Sequence, residues 1–345
     1  MSQPNMSKPS RRHVLSLATG ALAGGAWPRT ARAEPMVIRI GVQPSLSYTP
    51  IYVMKQRGLI EKHGKAAGLD ITGELGTFAS GPAMNDGLLS GQLDIVCGGT
   101  SGGIIIWDKT RGKGPLEVKG VAAINSLAFY LFSSRPGVKS LKDIGEQDRI
   151  AVPAAKSSMQ AVLLQMAAAK LYGDANWAKF DPLTVTMAHP DAYVLLSSGK
   201  SELNAHFSGP PYQYDQQKDA KLTQVASSLD ITDGPMTLNM IWSTARFHDG
   251  SPQAYKIFLA AYEEALDIVR RDPKGAAEDY AAIVKSKVNI AEILQGLTDP
   301  GTKFSSSPER VAAMAQFLYK TGVVKTKMES FKDFFFPEIH AAGGS

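Results

Sequence analysis

Residues 99–103 read GTSGG, a fit to the G-x-S-x-G turn that presents a nucleophilic serine between a strand and a helix. Acyl transfer at Ser101 would need a later acid and a histidine to take its proton. The chain has no HGGG-type oxyanion loop, and the histidines that follow an acid, such as His248 and His340, lack hydrolase surroundings. His189, Asp191 and His206 are a second candidate, since imidazole and carboxylate can hold a transition metal. Those ligands are sparse and their spacing is not distinctive. The single cysteine, Cys97, can form no internal disulfide and excludes Cys-based zinc modules. It ends the apolar run LDIVC and reads as a buried small hydrophobe. No P-loop or G-x-G-x-x-G follows a strand.

The remaining chemistry is recognition by short loops rich in hydroxyl and aromatic groups. In open α/β sheets ligands bind beyond the carboxyl ends of strands, where helix N-termini offer unpaired N–H groups. Candidates there are Gln43, Ser45, Ser47 and Tyr48, then Ser80 and Gly81, then Thr100 and Ser101. A second set holds Lys156, Ser157 and Ser158, then His189 and Asp191, then His206, Phe207 and Tyr212. Each has a plainer reading. Ser80 and Ser157 suit helix caps and Lys156 a solvated surface. His189 and His206 suit hydrogen-bonded structural roles, and Tyr48, Phe207 and Tyr212 suit lobe packing. The expectation is a binding site with no catalytic residue, no metal and no cofactor; the alternative is a serine hydrolase using Ser101.

Positioning these loops requires strands alternating with helices. Strands are expected at 37–43, 69–78, 93–99 and 118–125, with helical segments at 51–64, after Ser80, and after GTSGG. The pattern then restarts, with strands at 148–153, 183–189 and around 201–209 and helices between them. Two stretches repeat each other: FASGPAMNDGLLSGQLDIV (78–96) and MAHPDAYVLLSSGKSELNA (187–205). Each has a proline (Pro82, Pro190), a Ser-Gly pair (Ser90-Gly91, Ser198-Gly199) and then an acid (Asp94, Glu202) at matched spacing. The reading is one helix-to-strand corner used in two similar α/β lobes, each a mainly parallel sheet flanked by helices, with a ligand cleft between them. One more strand is expected near 237–244, and the lobes are joined by crossover strands near 125–132 and 234–242. Helices are expected at 251–272, 274–286, 289–297 and 308–321, before the aromatic tail FKDFFFPEIH (331–340), read as a core anchor.

The chain has 345 residues, enough for two lobes, with 37 basic and 32 acidic residues. SRRHVLSL (10–17), the weakly apolar run to Trp27 and ARA (31–33) form a three-part export signal of twin-arginine type, with cleavage expected after Ala33. Its removal leaves 32 basic against 32 acidic residues, so the basic balance belongs mostly to the leader. A formally neutral mature chain speaks against nucleic acid as a partner. Beyond the leader no stretch is long and apolar enough to span a bilayer.

IRIGVQPSLSYTPIYVMKQRGLIEKHG, FASGPAMNDGLLSGQLDIVCGG, GVKSLKDIGEQDRIAVP, AHPDAYVLLSSGKSELNAHFSGPPY and STARFHDGSPQAYKIFLAAYEEALDIV resemble, in order and spacing, the nitrate/sulfonate/taurine-type substrate-binding proteins of ABC transporters. The resemblance implies a two-lobed periplasmic-binding-protein fold of type II, the Venus-flytrap form. It implies a monomer in the periplasm that takes a small solute to an inner-membrane permease with its cytoplasmic ATPase. A ligand-sensing receptor for a membrane signalling protein is an alternative. The second lobe would be inserted into the first: 34–128 and 237–345 in lobe one, 129–236 in lobe two. The family's cleft positions fall on the candidates named above. His189, Pro190 and the loop from Phe207 to Tyr212 are bulky for nitrate, which admits an aromatic or heterocyclic acid or a pyrimidine, with Lys156 as countercharge. Fungal pyrimidine synthases of the same superfamily use a cysteine-rich segment and are not exported, unlike a one-cysteine chain with a leader.

Overall fold

The computed structural model describes residues 36–199, 201–285 and 289–345, so the reading of residues 1–33 as an export signal lies outside it. Ile38, Ile40 and Val42, two apart, are fully buried in strand β1 (Met36–Val42), as period-two alternation requires. The chain continues through α1 (Thr49–Gln56), α2 (Leu59–Ala66), β2 (Ile71–Thr77), α3 (Gly81–Ser90), β3 (Ile95–Gly99), α4 (Thr100–Thr110) and β4 (Val118–Ser126). It then builds a second set: β5 (Tyr130–Ser133), β6 (Ile150–Val152), α5 (Met159–Tyr172), β7 (Thr184–Thr186), α6 (His189–Ser198), β8 (Ala205–Ser208), α7 (Tyr212–Lys218), β9 (Thr223–Ser227) and α8 (Ser228–Ile231). It returns through β10 (Asn239–Thr244), α9 (Ala245–Gly250), α10 (Pro252–Arg271), α11 (Pro273–Val284), α12 (Ile290–Leu297), β11 (Lys303–Phe304) and α13 (Val311–Lys320).

Two sheets result, ordered β11-β4-β10-β3-β1-β2 and β7-β6-β8-β5-β9. They are mixed: most strands of each run the same way, as expected, and are joined by antiparallel ones. β1 runs parallel to β2 and β3, and β6 runs parallel to β7 and β8. β10 runs antiparallel to β3 and β4, β11 to β4, and β5 to β8 and β9. The exceptions at β5 and β10 have one cause. A parallel neighbour needs a crossover helix, whereas β5 and β10 carry the chain straight from one lobe into the other's sheet. Two smaller departures bear on the site. The strand expected at 183–189 stops at Thr186, so His189 begins a helix, and α4 starts at Thr100 directly after β3.

The repeated corner is present in both lobes. Gly91 and Gly199 close α3 and α6 with φ of 81° and 62°, a left-handed conformation that favours glycine. The acids do not correspond. Asp94 precedes Ile95, which pairs with Ile40, and its carboxylate accepts the Arg39 backbone N–H at 2.9 Å. In the second lobe Ala205 pairs with Ile150, and Asn204 Oδ1 accepts the Arg149 backbone N–H at 3.0 Å. Asn204, not Glu202, is therefore the register equivalent of Asp94.

The C-terminal part seals the first lobe. α10 buries Tyr255, Phe258, Tyr262, Leu266 and Val269 along one face, spaced three or four residues apart. Phe334 and Phe335 are buried, and the chain there bonds both ways with Gly120 of β4: Gly120 N–H to Phe334 O at 3.0 Å, and Phe336 N–H to Gly120 O at 2.8 Å. A Cβ on Gly120 would meet the Phe335 ring at 2.6 Å, so this close approach requires glycine.

Candidate functional site

A cavity of about 200 Å³ lies at the carboxyl ends of β1, β3 and β6. The first lobe walls it with Gln43, Ser45, Ser47 and Tyr48, with Gly81, Pro82, Asn85 and Asp86 of α3, and with Gly99, Gly102, Ile105, Ile106 and Lys109 around α4. Asn239 and Trp242 of β10 complete that side, and Phe129 lines the cavity from the start of the second lobe. The second lobe contributes Pro153, Ser157, Ser158, Met159, Gln160 and His189. Gly81, Gly99, Met159 and His189 lie at the amino ends of α3, α4, α5 and α6, so four helix N-termini converge on one space. Their unpaired N–H groups and dipoles favour negative charge or polar oxygens.

Fixed hydrogen bonds shape the first-lobe wall. Tyr48 donates its hydroxyl to Asn239 Oδ1 at 3.1 Å, Asn239 Nδ2 donates to Asn125 Oδ1 at 2.9 Å, and Asn125 Nδ2 donates to the Ser47 carbonyl. Burial pushes the Tyr48 phenol well above its ordinary value, so it remains a neutral donor. Trp242 donates its indole N–H to Asn85 Oδ1 at 2.9 Å, and its ring fits over Gly98 and Gly103, where a Cβ would stand 2.5 and 3.1 Å from it. A Cβ on Gly81 or Gly102 would meet nothing within 4 Å. Both face open space.

In the second lobe Ser158 caps α5, accepting the Ala161 N–H at 3.4 Å. Its own proton can therefore point into the cavity. His189 Nδ1 lies 2.9 Å from His206 Nε2, with Gln160 Nε2 3.2 Å from His189 Nε2 and Gln216 Nε2 3.2 Å from His206 Nδ1. Burial disfavours charge on both rings: His189 is lowered to about 4, and His206 is well below the usual histidine range, by burial and then by its neighbour His189.

The lobes also bond each other beside the cavity. Ser45 Oγ donates to the Pro210 carbonyl at 2.9 Å and Leu46 N–H reaches the same oxygen at 3.2 Å. Ser101 Oγ donates to the Ser157 carbonyl at 3.0 Å. Farther out, Lys218 pairs with Glu292 at 2.7 Å, and Lys320 pairs with Asp174.

Of the residues expected at the site, Gln43, Ser45, Ser47, Tyr48, Gly81, Ser157, Ser158 and His189 line the cavity. The others do not, each for a local reason. Ser80 caps α3 without a side-chain bond and stays outside the lining. Thr100 and Ser101 are buried because α4 starts at once; Thr100 Oγ1 donates to the Thr237 carbonyl at 2.8 Å. Lys156 is exposed, with a φ of 65°, and its charge acts on Asp181 rather than in the cavity. Asp191 is exposed on the first turn of α6. His206 is the fully buried second rank behind His189. Phe207, the next residue of β8, must point to the opposite face and joins the main core. Tyr212 stacks on the His189 ring, 6.4 Å between centroids, supporting it from behind.

The nucleophile and metal readings meet this geometry directly. Ser101 commits its proton to a carbonyl, and among the described residues no histidine or carboxylate bonds it. Among the described residues no group of three or more His, Cys, Asp or Glu is placed to hold a metal ion. Most lining residues that sequence reasoning missed lie on helix faces and on the returning strand; Phe129 and Pro153 flank β5 and β6. Pro82, Asn85 and Asp86, and Gly102, Ile105, Ile106 and Lys109, recur at three- and four-residue spacing, a signal that was readable. Asn239 and Trp242 had no local signal, since their place depends on β10 entering between β3 and β4.

A model of the NMT1-like family matches residues 31–285. No curated protein matches the chain. Among solved structures, the alkanesulfonate-binding protein SsuA from Xanthomonas axonopodis pv. citri, bound to MOPS, is 16% identical, with a TM-score of 0.66 over 86% of this chain and 96% of that one. The periplasmic nitrate-binding protein NrtA from Synechocystis PCC 6803 is 14% identical, with a TM-score of 0.68 over 90% of this chain and 88% of that one. The Candida albicans CA3427 gene product, described as having the generic periplasmic binding protein fold, is 13% identical, with a TM-score of 0.59 over 90% of this chain and 96% of that one. The fold is thus that of a two-lobed periplasmic binding protein.

Proposed function

The chain belongs to the NMT1-like family, and from that premise we propose that it is a solute receptor: both lobes close on a small polar or anionic organic molecule, which is then delivered to an inner-membrane ABC permease. The observation that carries this is the cavity walled by both lobes in which four helix N-termini meet beside interlobe bonds. A ligand that touches both walls favours the closed form, which is how binding becomes a signal to a permease. The names of two neighbours, alkanesulfonate-binding and nitrate-binding, support an anionic class. Residues 34–128 and 237–345 form the first lobe in this reading and 129–236 the second, and removal of residues 1–33 releases the chain into the periplasm.

The site chemistry favours an organic solute over a bare inorganic anion. Trp242, Phe129, Ile105 and Ile106 offer apolar surface around the hydroxyl and amide groups. The test is a thermal-shift screen of solute-stripped mature protein against nitrate, alkyl and aryl sulfonates, taurine, aromatic carboxylates and pyrimidines. A ligand at 100 times its Kd adds about 2.7 kcal/mol, a shift of several degrees. Hits confined to one chemical group, quenching Trp242 fluorescence, establish the receptor. A flat panel together with stoichiometric fluorophosphonate labelling of Ser101 overturns it.

A further inference from the structure

We propose that the His189–His206 pair is a latent cation: an anionic solute enters the cleft with one proton from solvent, and the pair holds that proton beneath it. This rests on the receptor reading and supplies the countercharge that Lys156, exposed and outside the lining, does not. The charged lining residues are Asp86 and Lys109, both exposed and both on first-lobe helices, so the interior has no fixed positive side chain.

The hydrogen-bond pattern makes the pair able to take a proton. Gln160 and Gln216 both turn an NH₂ toward the outer ring nitrogens. Those nitrogens would then accept, and both inner nitrogens, 2.9 Å apart, would carry hydrogens facing each other. A neutral pair therefore needs one amide turned. Turning Gln216 supplies one such arrangement, because its Oε1 then accepts from His206 Nδ1. The chain then runs Gln160 NH₂ to His189 Nε2, His189 Nδ1–H to His206 Nε2, and His206 Nδ1–H to Gln216 Oε1. Adding one proton at His189 Nε2 leaves every link intact, because Gln160 can turn its oxygen inward or the solute can accept directly. No covalent bond forms, and the net change is one positive charge.

The surroundings impose no other charge on the pair. The strand neighbours of His206 are Phe132 on β5 and Ala151 on β6. On α6 Asp191 is exposed, and on α7 Tyr212 stacks on His189 while Lys218 pairs outward with Glu292 of α12. Asp215 of α7 sits by Tyr193, Gln165 of α5 binds Asp181, and across the cavity stand Asp86 and Lys109. In the empty cleft burial keeps both rings neutral at pH 7. A bound anion raises the pair's affinity for a proton, so anion affinity is highest at low pH and falls as pH rises, by up to about tenfold per pH unit for one linked proton.

The test uses benzenesulfonate, a strong-acid anion that does not itself titrate, with benzenesulfonamide as the uncharged isostere. Calorimetry at pH 6 in buffers of different ionisation heat should show uptake approaching one proton for the sulfonate and none for the sulfonamide. Ring-nitrogen NMR should show the pair's titration midpoint rising in benzenesulfonate relative to chloride. His189→Gln and His206→Gln should each abolish the uptake; two variants guard against one failing to fold, and a structural role alone would not alter buffer-dependent heat. Sulfonate binding without proton uptake, or an unmoved midpoint, overturns the proposal. If the solute screen still gives hits, only this proposal falls; if the screen is flat and Ser101 is labelled by the fluorophosphonate, the receptor reading falls with it.

Discussion

The two lobes solve the same corner with different chemistry. In the first, Arg39 donates its backbone N–H and two guanidinium N–H groups to Asp94, and α3 opens on Gly81, bare and facing the cavity. In the second, a neutral Asn204 replaces the acid, Arg149 turns its side chain to the Glu146 and Asp148 carbonyls, and α6 opens on buried His189. The first lobe thus keeps its charge at the back of the sheet and offers the solute backbone N–H groups. The second closes its corner without a carboxylate, its arginine held by backbone carbonyls, and places titratable rings under the cleft. A duplicated scaffold can fix the cavity's position while each copy sets its own electrostatics.

The largest expected effect separates the lobes by pH. His189 carries a folded value of about 4 against 6.5 for the ordinary residue. A histidine with a lowered folded value binds fewer protons in the native state, so its stabilisation is complete above about 6.5 and is lost as pH falls toward 4. In chloride, without solute, urea unfolding should show a loss of about 3 kcal/mol over that window from His189 alone. The double variant His189→Gln/His206→Gln should flatten the slope, since burial lowers both rings, whereas Asp94→Asn in the first lobe should leave it in place. A slope that survives the double variant would move the pH sensitivity elsewhere and end the contrast.

The next effect weighs the corners against each other. Asp94→Ala removes a carboxylate that accepts three N–H groups and leaves Arg39 without its ion pair. The Arg39 side chain is 43% exposed, which moderates the loss. The expected cost is about 2 kcal/mol, against about 1 kcal/mol for Asn204→Ala. Equal losses in equilibrium unfolding would show that the guanidinium fork adds nothing beyond the shared backbone bond.

Much of this was legible in the chain and some was not, for reasons that differ by residue. Period-two burial in Ile38, Ile40 and Val42 and the glycine stops at 91 and 199 are local, so the α/β lobes and their repeat could be read. Glu202 matched Asp94 in spacing, yet the link from α6 to β8 is two residues longer than that from α3 to β3, and strand pairing selects Asn204. That slip is invisible until the register is known. Phe207 was a different error: beside His206 on one strand it had to face the other way. The antiparallel entry of β5 and β10 depends on the chain's passage between lobes, a property of the whole topology.

The smallest effects test how the two walls cooperate. Ser80 and Ser158 are the N-cap residues of α3 and α5, one in each lobe, but only Ser158 lines the cavity. Ser158→Ala should weaken solute binding about tenfold, while Ser80→Ala should stay within about twofold. Ser101→Ala probes a different quantity, because Ser101 reaches the second lobe's Ser157 carbonyl without lining the cavity. Losing that bond favours the open form, and an affinity scaled by the closed population should drop about threefold. The signature is kinetic as well: solute release should quicken, and small-angle scattering of the solute-free variant should show a larger radius than the parent. A Ser101→Ala variant with parental affinity and radius would mean that closure is carried by the other interlobe contacts, those of Ser45 and Leu46 with Pro210 and the Lys218–Glu292 and Lys320–Asp174 pairs.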